Sequence, residues 1–187
     1  MKRLGIFGGS FNPIHLGHII LAGDIAEEFN LEKILFIPAY TPPLKSENEL
    51  LPYELRYKMV ESAIADYSNF DISDIEKRLP QPSYTINTLR ALRDKFPAME
   101  FYLIIGSDQA AQFEQWKEYD KIAKIAKIVV MSRNKAKIKN INMIFYNKRR
   151  IDISSTEIRR RIINNLPFRR FLPETVYKII KNEKLFG

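Results

Sequence analysis

The chain has 187 residues, 45% of them hydrophobic and 28% charged, and its 30 Lys/Arg against 22 Asp/Glu leave a net charge of +8. That length suits one domain able to bury a real core, and the balance of apolar and charged residues is that of a soluble globular protein. Without a single cysteine, disulfide scaffolds and thiol chemistry are excluded, in keeping with a reducing cytoplasm.

Residues 2–7 open the chain as a buried strand, too short for a signal peptide, and no later stretch approaches the length needed to cross a bilayer. Directly behind it runs Gly8-Gly9-Ser10-Phe11-Asn12-Pro13-Ile14-His15-Leu16-Gly17-His18, where a strand hands over to a helix. Gly8 and Gly9 carry no Cβ and let main-chain N–H groups come close to an anion. The helix expected over 16–29, with Leu21, Ile25 and Phe29 in i, i+4 steps, points its positive end back at this loop. His15 and His18 share a face if both lie in the first turn. Zinc is the weaker reading for them, because the chain has no other His and no Cys to complete a site. The loop matches neither a Walker A nor a dinucleotide fingerprint, and it is a place for a triphosphate.

Strands are expected over 33–37 and 70–75, with a helix over 52–67 between them. The loop after residue 37 reads Pro38-Ala39-Tyr40-Thr41-Pro42-Pro43-Leu44-Lys45, by composition a stiff connection. Ser83-Tyr84-Thr85 opens a helix over 84–96 that Pro97 closes, and capping is the default account of those hydroxyls. The clearest interior strand is 100–105, followed by Gly106-Ser107-Asp108-Gln109 and then by Trp116-Lys117. A lone Trp is most often core, but one just past a strand-end loop can stack on a flat ring. Strands over 127–131 and 142–146 come next, separated by an Asn- and Lys-rich stretch around 134–142 that reads as a mobile loop. Helices over 154–164 and 173–181 complete the chain.

The first of these final helices follows Ile153-Ser154-Ser155-Thr156-Glu157-Ile158-Arg159. Ser154 and Glu157 have capping-box spacing, yet the same N-terminus is an anion site that Arg159 can reach with a forked guanidinium. Strands alternating with helices predict an α/β fold: a Rossmann-like doubly wound, mostly parallel sheet with helices on both faces, one domain over 1–187. In such a sheet ligands bind at the carboxyl ends of the strands near a switch point, here the loops after residues 7, 37, 105 and 131. Charge is uneven along the chain. Residues 1–120 hold 12 Lys/Arg against 18 Asp/Glu, and residues 121–187 hold 18 against 4. A nucleic-acid surface and a Lys-rich exterior with a few phosphate-seeking arginines both account for that, and the basic runs lack interleaved aromatics.

The string Gly8–His18 resembles the phosphate-binding signature of the nucleotidyltransferase superfamily, whose hallmark is H-x-G-H. Ile153–Arg159 resembles its second signature, I-S-S-T-x-I-R. With the P-P-x-K loop, the S-Y-T helix start and the G-S-D loop with its Trp, nearly the whole chain is similar to the bacterial nicotinate-nucleotide adenylyltransferase family. That resemblance implies AMP transfer from ATP to nicotinate mononucleotide, with Mg²⁺ bridging phosphate oxygens. It implies catalytic roles for His15, His18 and Arg159, and ATP contacts from Gly8, Gly9, Ser10, Phe11, Gly106, Asp108, Ser154, Ser155 and Thr156. Lys45, Tyr84, Thr85, Trp116 and Lys117 would hold the nicotinate nucleotide. The chain departs from the family pattern at Asn12 and Asn87, where many members have Asp, and at Leu44, where many have His. Nicotinamide mononucleotide, phosphopantetheine or a polyol phosphate with CTP are the rival substrates on this fold, and an RNA-binding or nucleotide-sensing protein the non-enzymatic rival. A homo-oligomer stays open, and no membrane contact is expected.

Overall fold

Six short runs rich in Ile, Val, Leu and Phe form a sheet whose order is β3-β2-β1-β4-β5-β6. In a computed structural model, which describes residues 2–43, 50–131 and 143–187, every neighbouring pair of these strands is parallel. The strands are β1 (Arg3–Gly9), β2 (Lys33–Pro38), β3 (Phe70–Ile72), β4 (Glu100–Gly106), β5 (Ala126–Met131) and β6 (Met143–Tyr146). The helices are α1 (Leu16–Glu28), α2 (Tyr53–Ile64), α3 (Thr85–Lys95), α4 (Ser107–Ala110), α5 (Tyr119–Ile125), α6 (Ser155–Ile163) and α7 (Glu174–Asn182).

Both faces of the sheet are covered, so its strands read as nearly continuous apolar runs. Successive residues of β4 show the two-residue period: Tyr102 and Ile104 enter one core, Phe101, Leu103 and Ile105 the other. The first core takes Ile25 of α1, Met59 and Val60 of α2, Ile158 of α6 and Val176 and Ile180 of α7. The second takes Ile86 and Leu89 of α3, with Phe113 and Ile122. The two C-terminal helices therefore lie on the α1–α2 face, where Thr175 Oγ1 of α7 donates to the Ser62 carbonyl of α2 at 3.1 Å. The strand order reverses between β1 and β4, the central and parallel neighbours, and this switch point puts the loops after Gly9 and Gly106 side by side.

Three expectations need correction. β1 does not stop at Phe7, because Gly8 and Gly9 stay in register with Ile37 and Pro38 of β2, which puts both glycines in the strand. β3 ends at Ile72 rather than Ile75, and Ile75–Arg78 winds into a short 3-10 turn. The alternating pattern there continued past the last residue that β2 could pair. Finally, α4 and α5 occupy a region read as loop, and α5 is too short to display a helical period. The stretch 134–142, and Lys45 with Leu44, lie outside the described residues.

Candidate active site

The loop between β1 and α1 is built by close packing. Among the described residues no glycine has a positive φ, so Gly9 is needed for space: a Cβ there would stand 3.1–3.3 Å from the Phe11 ring. Phe11 itself is left-handed (φ 44) and its side chain is buried, edge-on to Phe7 at 5.5 Å and to His18 at 5.3 Å. It belongs to the core, leaving its main chain as the part that a nucleotide could meet. Asn12 is also buried, and its Oδ1 accepts the Leu51 N–H at 3.1 Å, a structural contact made without charge.

His15 is the N-cap of α1 and His18 lies one turn inside, so the two do share a face. Their rings stack at 3.6 Å with planes 19° apart, and the His15 amide donates to His18 Nδ1 at 3.2 Å. A neutral ring that accepts at Nδ1 carries its hydrogen on Nε2. His15 is fully buried and His18 half-buried. The glycine of H-x-G-H has a plain reason: a Cβ on Gly17 would lie 3.1 Å from His15 Nδ1 and 3.3 Å from Ile151 Cγ2. Gly17→Ala, ordinarily favourable in a helix, should instead displace the stacked rings. We expect a stability loss of about 1–3 kcal/mol in thermal melts, with a parallel fall in activity.

The second motif meets this loop across the chain. Ser155 Oγ donates to the Pro13 carbonyl at 2.8 Å, and Arg159 Nη1 donates to the Asn12 carbonyl, also at 2.8 Å. Arg159 Nη2 reaches Thr156 Oγ1 at 3.3 Å. Ser154 is the cap that its spacing predicted, accepting the Glu157 N–H at 3.1 Å. The N-termini of α1 and α6 thus converge on one loop, and their partial positive charges add.

On the other sheet face, at the same edge, opens a cleft of about 600 Å³. Gly8, Gly9 and Ser10 form one rim, and Tyr84, Thr85, Asp108, Trp116 and Lys117 line the rest. Trp116 is half-buried, its ring 5.3 Å from that of Phe113, and Lys117 Nζ sits 4.4 Å over the Tyr84 ring. Gly106 does not line the cleft; it caps α4, with its N–H donating to Gln109 Oε1 at 3.1 Å. His15, His18, Phe11, Arg159 and the α6 hydroxyls stand on the α1–α6 side. Gly8–Ser10 is therefore the seam between an anion-attracting half and a half shaped for a flat ring.

Two residues that the sequence reading missed hold these loops. Arg56 of α2 is 2% exposed and donates to four carbonyls: Leu51 at 2.9 Å, Ser10 at 2.9 Å, Ala39 at 2.8 Å and Tyr40 at 3.3 Å. Its spacing with Tyr53, Met59, Val60 and Ala63 on the buried stripe of α2 was the available signal. The other is Glu76, a buried acid of the 3-10 turn that lines the cleft. Part of the charge of the basic C-terminal third is met on the protein itself: Lys148, Arg149, Arg150, Arg160, Arg161 and Arg169 all stand in ion pairs with carboxylates. That pairing favours the salt-laced exterior over a nucleic-acid surface. Among the described residues, no helix is long and apolar enough to cross a membrane.

Residues 6–161 match the model of a family described as cytidylyltransferase-like. The probable nicotinate-nucleotide adenylyltransferase of Methylacidiphilum infernorum is 39% identical over 194 residues, covering 98% of this chain and 92% of that protein. Its counterpart from Aquifex aeolicus is 42% identical over 166 residues, covering 81% of this chain and 98% of its own. In shape, the chain superposes on the Plasmodium falciparum nicotinic acid mononucleotide adenylyltransferase complexed with NaAD with a TM-score of 0.80. That match has 22% identity and covers 100% of this chain and 98% of the other, which establishes the shared fold.

Proposed function

Because the chain belongs to the cytidylyltransferase-like family and aligns over nearly its full length with nicotinate-nucleotide adenylyltransferases, we propose that it joins ATP to nicotinate mononucleotide, forming nicotinate adenine dinucleotide and pyrophosphate. The observation that carries this reading is the meeting of the α1 and α6 N-termini, through Ser155–Pro13 and Arg159–Asn12, beside a cleft with an aromatic wall. A molecule with phosphates in its middle and a flat ring at one end fits such a seam.

A phosphate oxygen of the mononucleotide attacks the α-phosphorus of ATP in line. The bond from that phosphorus to the oxygen bridging to the β-phosphate breaks, and pyrophosphate leaves with the electron pair. The attacking oxygen is already anionic, so the protein needs no nucleophile and no strong base, and its work is positioning and charge stabilisation. The main chain of Gly8, Gly9, Ser10 and Phe11 cradles the phosphates. His15 locks the ring of His18, and His18 and Arg159 place donors against the charge that grows on the leaving pyrophosphate. Ser154, Ser155 and Thr156 hold the α6 N-terminus on the triphosphate, while Asp108 lies at the adenosine ribose and Gly106 serves by capping the short helix that carries it. Tyr84, Thr85, Trp116 and Lys117 receive the nicotinate ring, and the N–H groups of Thr85 and Lys117 read its carboxylate.

Mg²⁺ enters with ATP as part of the substrate and neutralises phosphate charge. Among the described residues, no three His, Cys, Asp or Glu side chains group together. A reducing cytoplasm is the compartment proposed for a chain with no cysteine. Direct transfer makes a sharp prediction. With Mg·ATP alone the protein should release no pyrophosphate and become no adenylylated species by mass spectrometry; adding nicotinate mononucleotide should yield dinucleotide and pyrophosphate in equal amounts. Pyrophosphate released without acceptor, with AMP left on the protein, would contradict the mechanism.

A further inference from the structure

Glu76 is an acid where the cleft would be cheaper to build from apolar residues. Its side chain lines the pocket yet the residue is only 6% exposed, on the short turn Ile75–Arg78. Thr88 Oγ1, one turn inside α3, donates to Oε1 at 2.9 Å, and the Tyr40 N–H, just past β2, donates to Oε2 at 3.3 Å. Burial pushes its carboxyl up, against hydrogen bonds from Ser83, Thr88 and Tyr40 and the nearby Arg56 charge. The same corner is tied again by Gln81 Nε2, which donates to the Glu76 carbonyl at 2.8 Å, and by the Thr41 N–H, which donates to Ser83 Oγ at 3.1 Å. Ser83 directly precedes Tyr84 and Thr85, where α3 begins.

One carboxylate therefore joins the loop after β2, the turn after β3 and the start of α3. Among the described residues, its hydrogen bonds reach Tyr40 and Thr88 and not the β1–α1 loop or α6. From this arrangement we infer that Glu76 is a positioning residue for the acceptor half of the site: it sets the N-terminus of α3, with Tyr84 and Thr85, at the distance from the opposite wall that a pyridine mononucleotide requires. Both oxygens are spent on accepting, so it acts through the segments it holds rather than by touching the reacting atoms. The inference rests on the function proposed above and adds a residue to it.

The test is steady-state kinetics on the full chain, varying nicotinate mononucleotide and ATP in turn. Removing the acceptor of a buried N–H and a buried hydroxyl should make Glu76→Ala raise KM for the mononucleotide about tenfold or more, with KM for ATP changed by less than about twofold. Glu76→Gln should recover most of the loss, since its amide oxygen can accept from Tyr40 while its NH₂ donates to Thr88 Oγ1. Thr88→Val, which keeps shape and removes the donor, should raise the same KM about threefold and keeps the inference testable if Glu76→Ala fails to fold. Equal rises in both KM values, no change in either, or a Glu76→Gln as impaired as Glu76→Ala would overturn the inference. A wild-type chain inactive on the mononucleotide would instead overturn the proposed function.

Discussion

Arg159→Ala should lower kcat about 10²- to 10³-fold while leaving the melting temperature nearly unchanged. The fold should lose little, because Arg159 is half-buried rather than buried, and its hydrogen bonds include those to the Asn12 carbonyl and Thr156 Oγ1. Chemistry should lose much more, because the guanidinium is a permanent positive charge held where two helix N-termini meet, and charge builds on the departing pyrophosphate only during reaction. Such an interaction appears in kcat rather than in KM for ATP. Arg159→Lys should recover part of the rate, since a point charge replaces a fork that can hold two oxygens at once. A variant with full kcat and a raised KM for ATP would make Arg159 a ground-state anchor.

The second large effect is on stability. Arg56→Leu should cost roughly 3–5 kcal/mol, because the carbonyls of Leu51, Ser10, Ala39 and Tyr40 would lose a buried donor together. For a chain of this size the melting temperature should fall by roughly 6–20 °C. These carbonyls come from the β1–α1 and β2–α2 loops, so the damage should reach the site: residual activity at low temperature should show raised KM values for both substrates. A loss below about 1 kcal/mol by calorimetry would mean that water replaces the guanidinium and that the loops hold without it.

Much of this was legible in the residues, for reasons of pattern. Buried parallel strands announce themselves as apolar runs, and all six were placed, though β1 was cut short because Gly8 and Gly9 read as the start of the loop when they are the end of a strand. Ser154 was readable because capping is local, a matter of a hydroxyl and an N–H three residues on. The joining of Ser155 to Pro13 is separated by most of the chain, and only the resemblance carried by the two motifs anticipated that they belong together. Phe11 sits among residues expected to meet ATP, yet its aromatic ring belongs to the core; chain position does not tell which way a left-handed residue turns. Glu76 gave no local signal and Arg56 only its place on the buried stripe of α2, for a related reason. A charged residue is buried when carbonyls and hydroxyls from distant loops surround it, and no window of sequence displays that company.

The most direct test of the central claim is a comparison of kcat/KM for nicotinate mononucleotide and nicotinamide mononucleotide with Mg·ATP, followed by pyrophosphate release. The account predicts a clear preference for the nicotinate substrate, reduced by truncating Trp116 and Lys117, which line the cleft beside Thr85. Equal use of both, or turnover of the nicotinamide substrate alone, would contradict it.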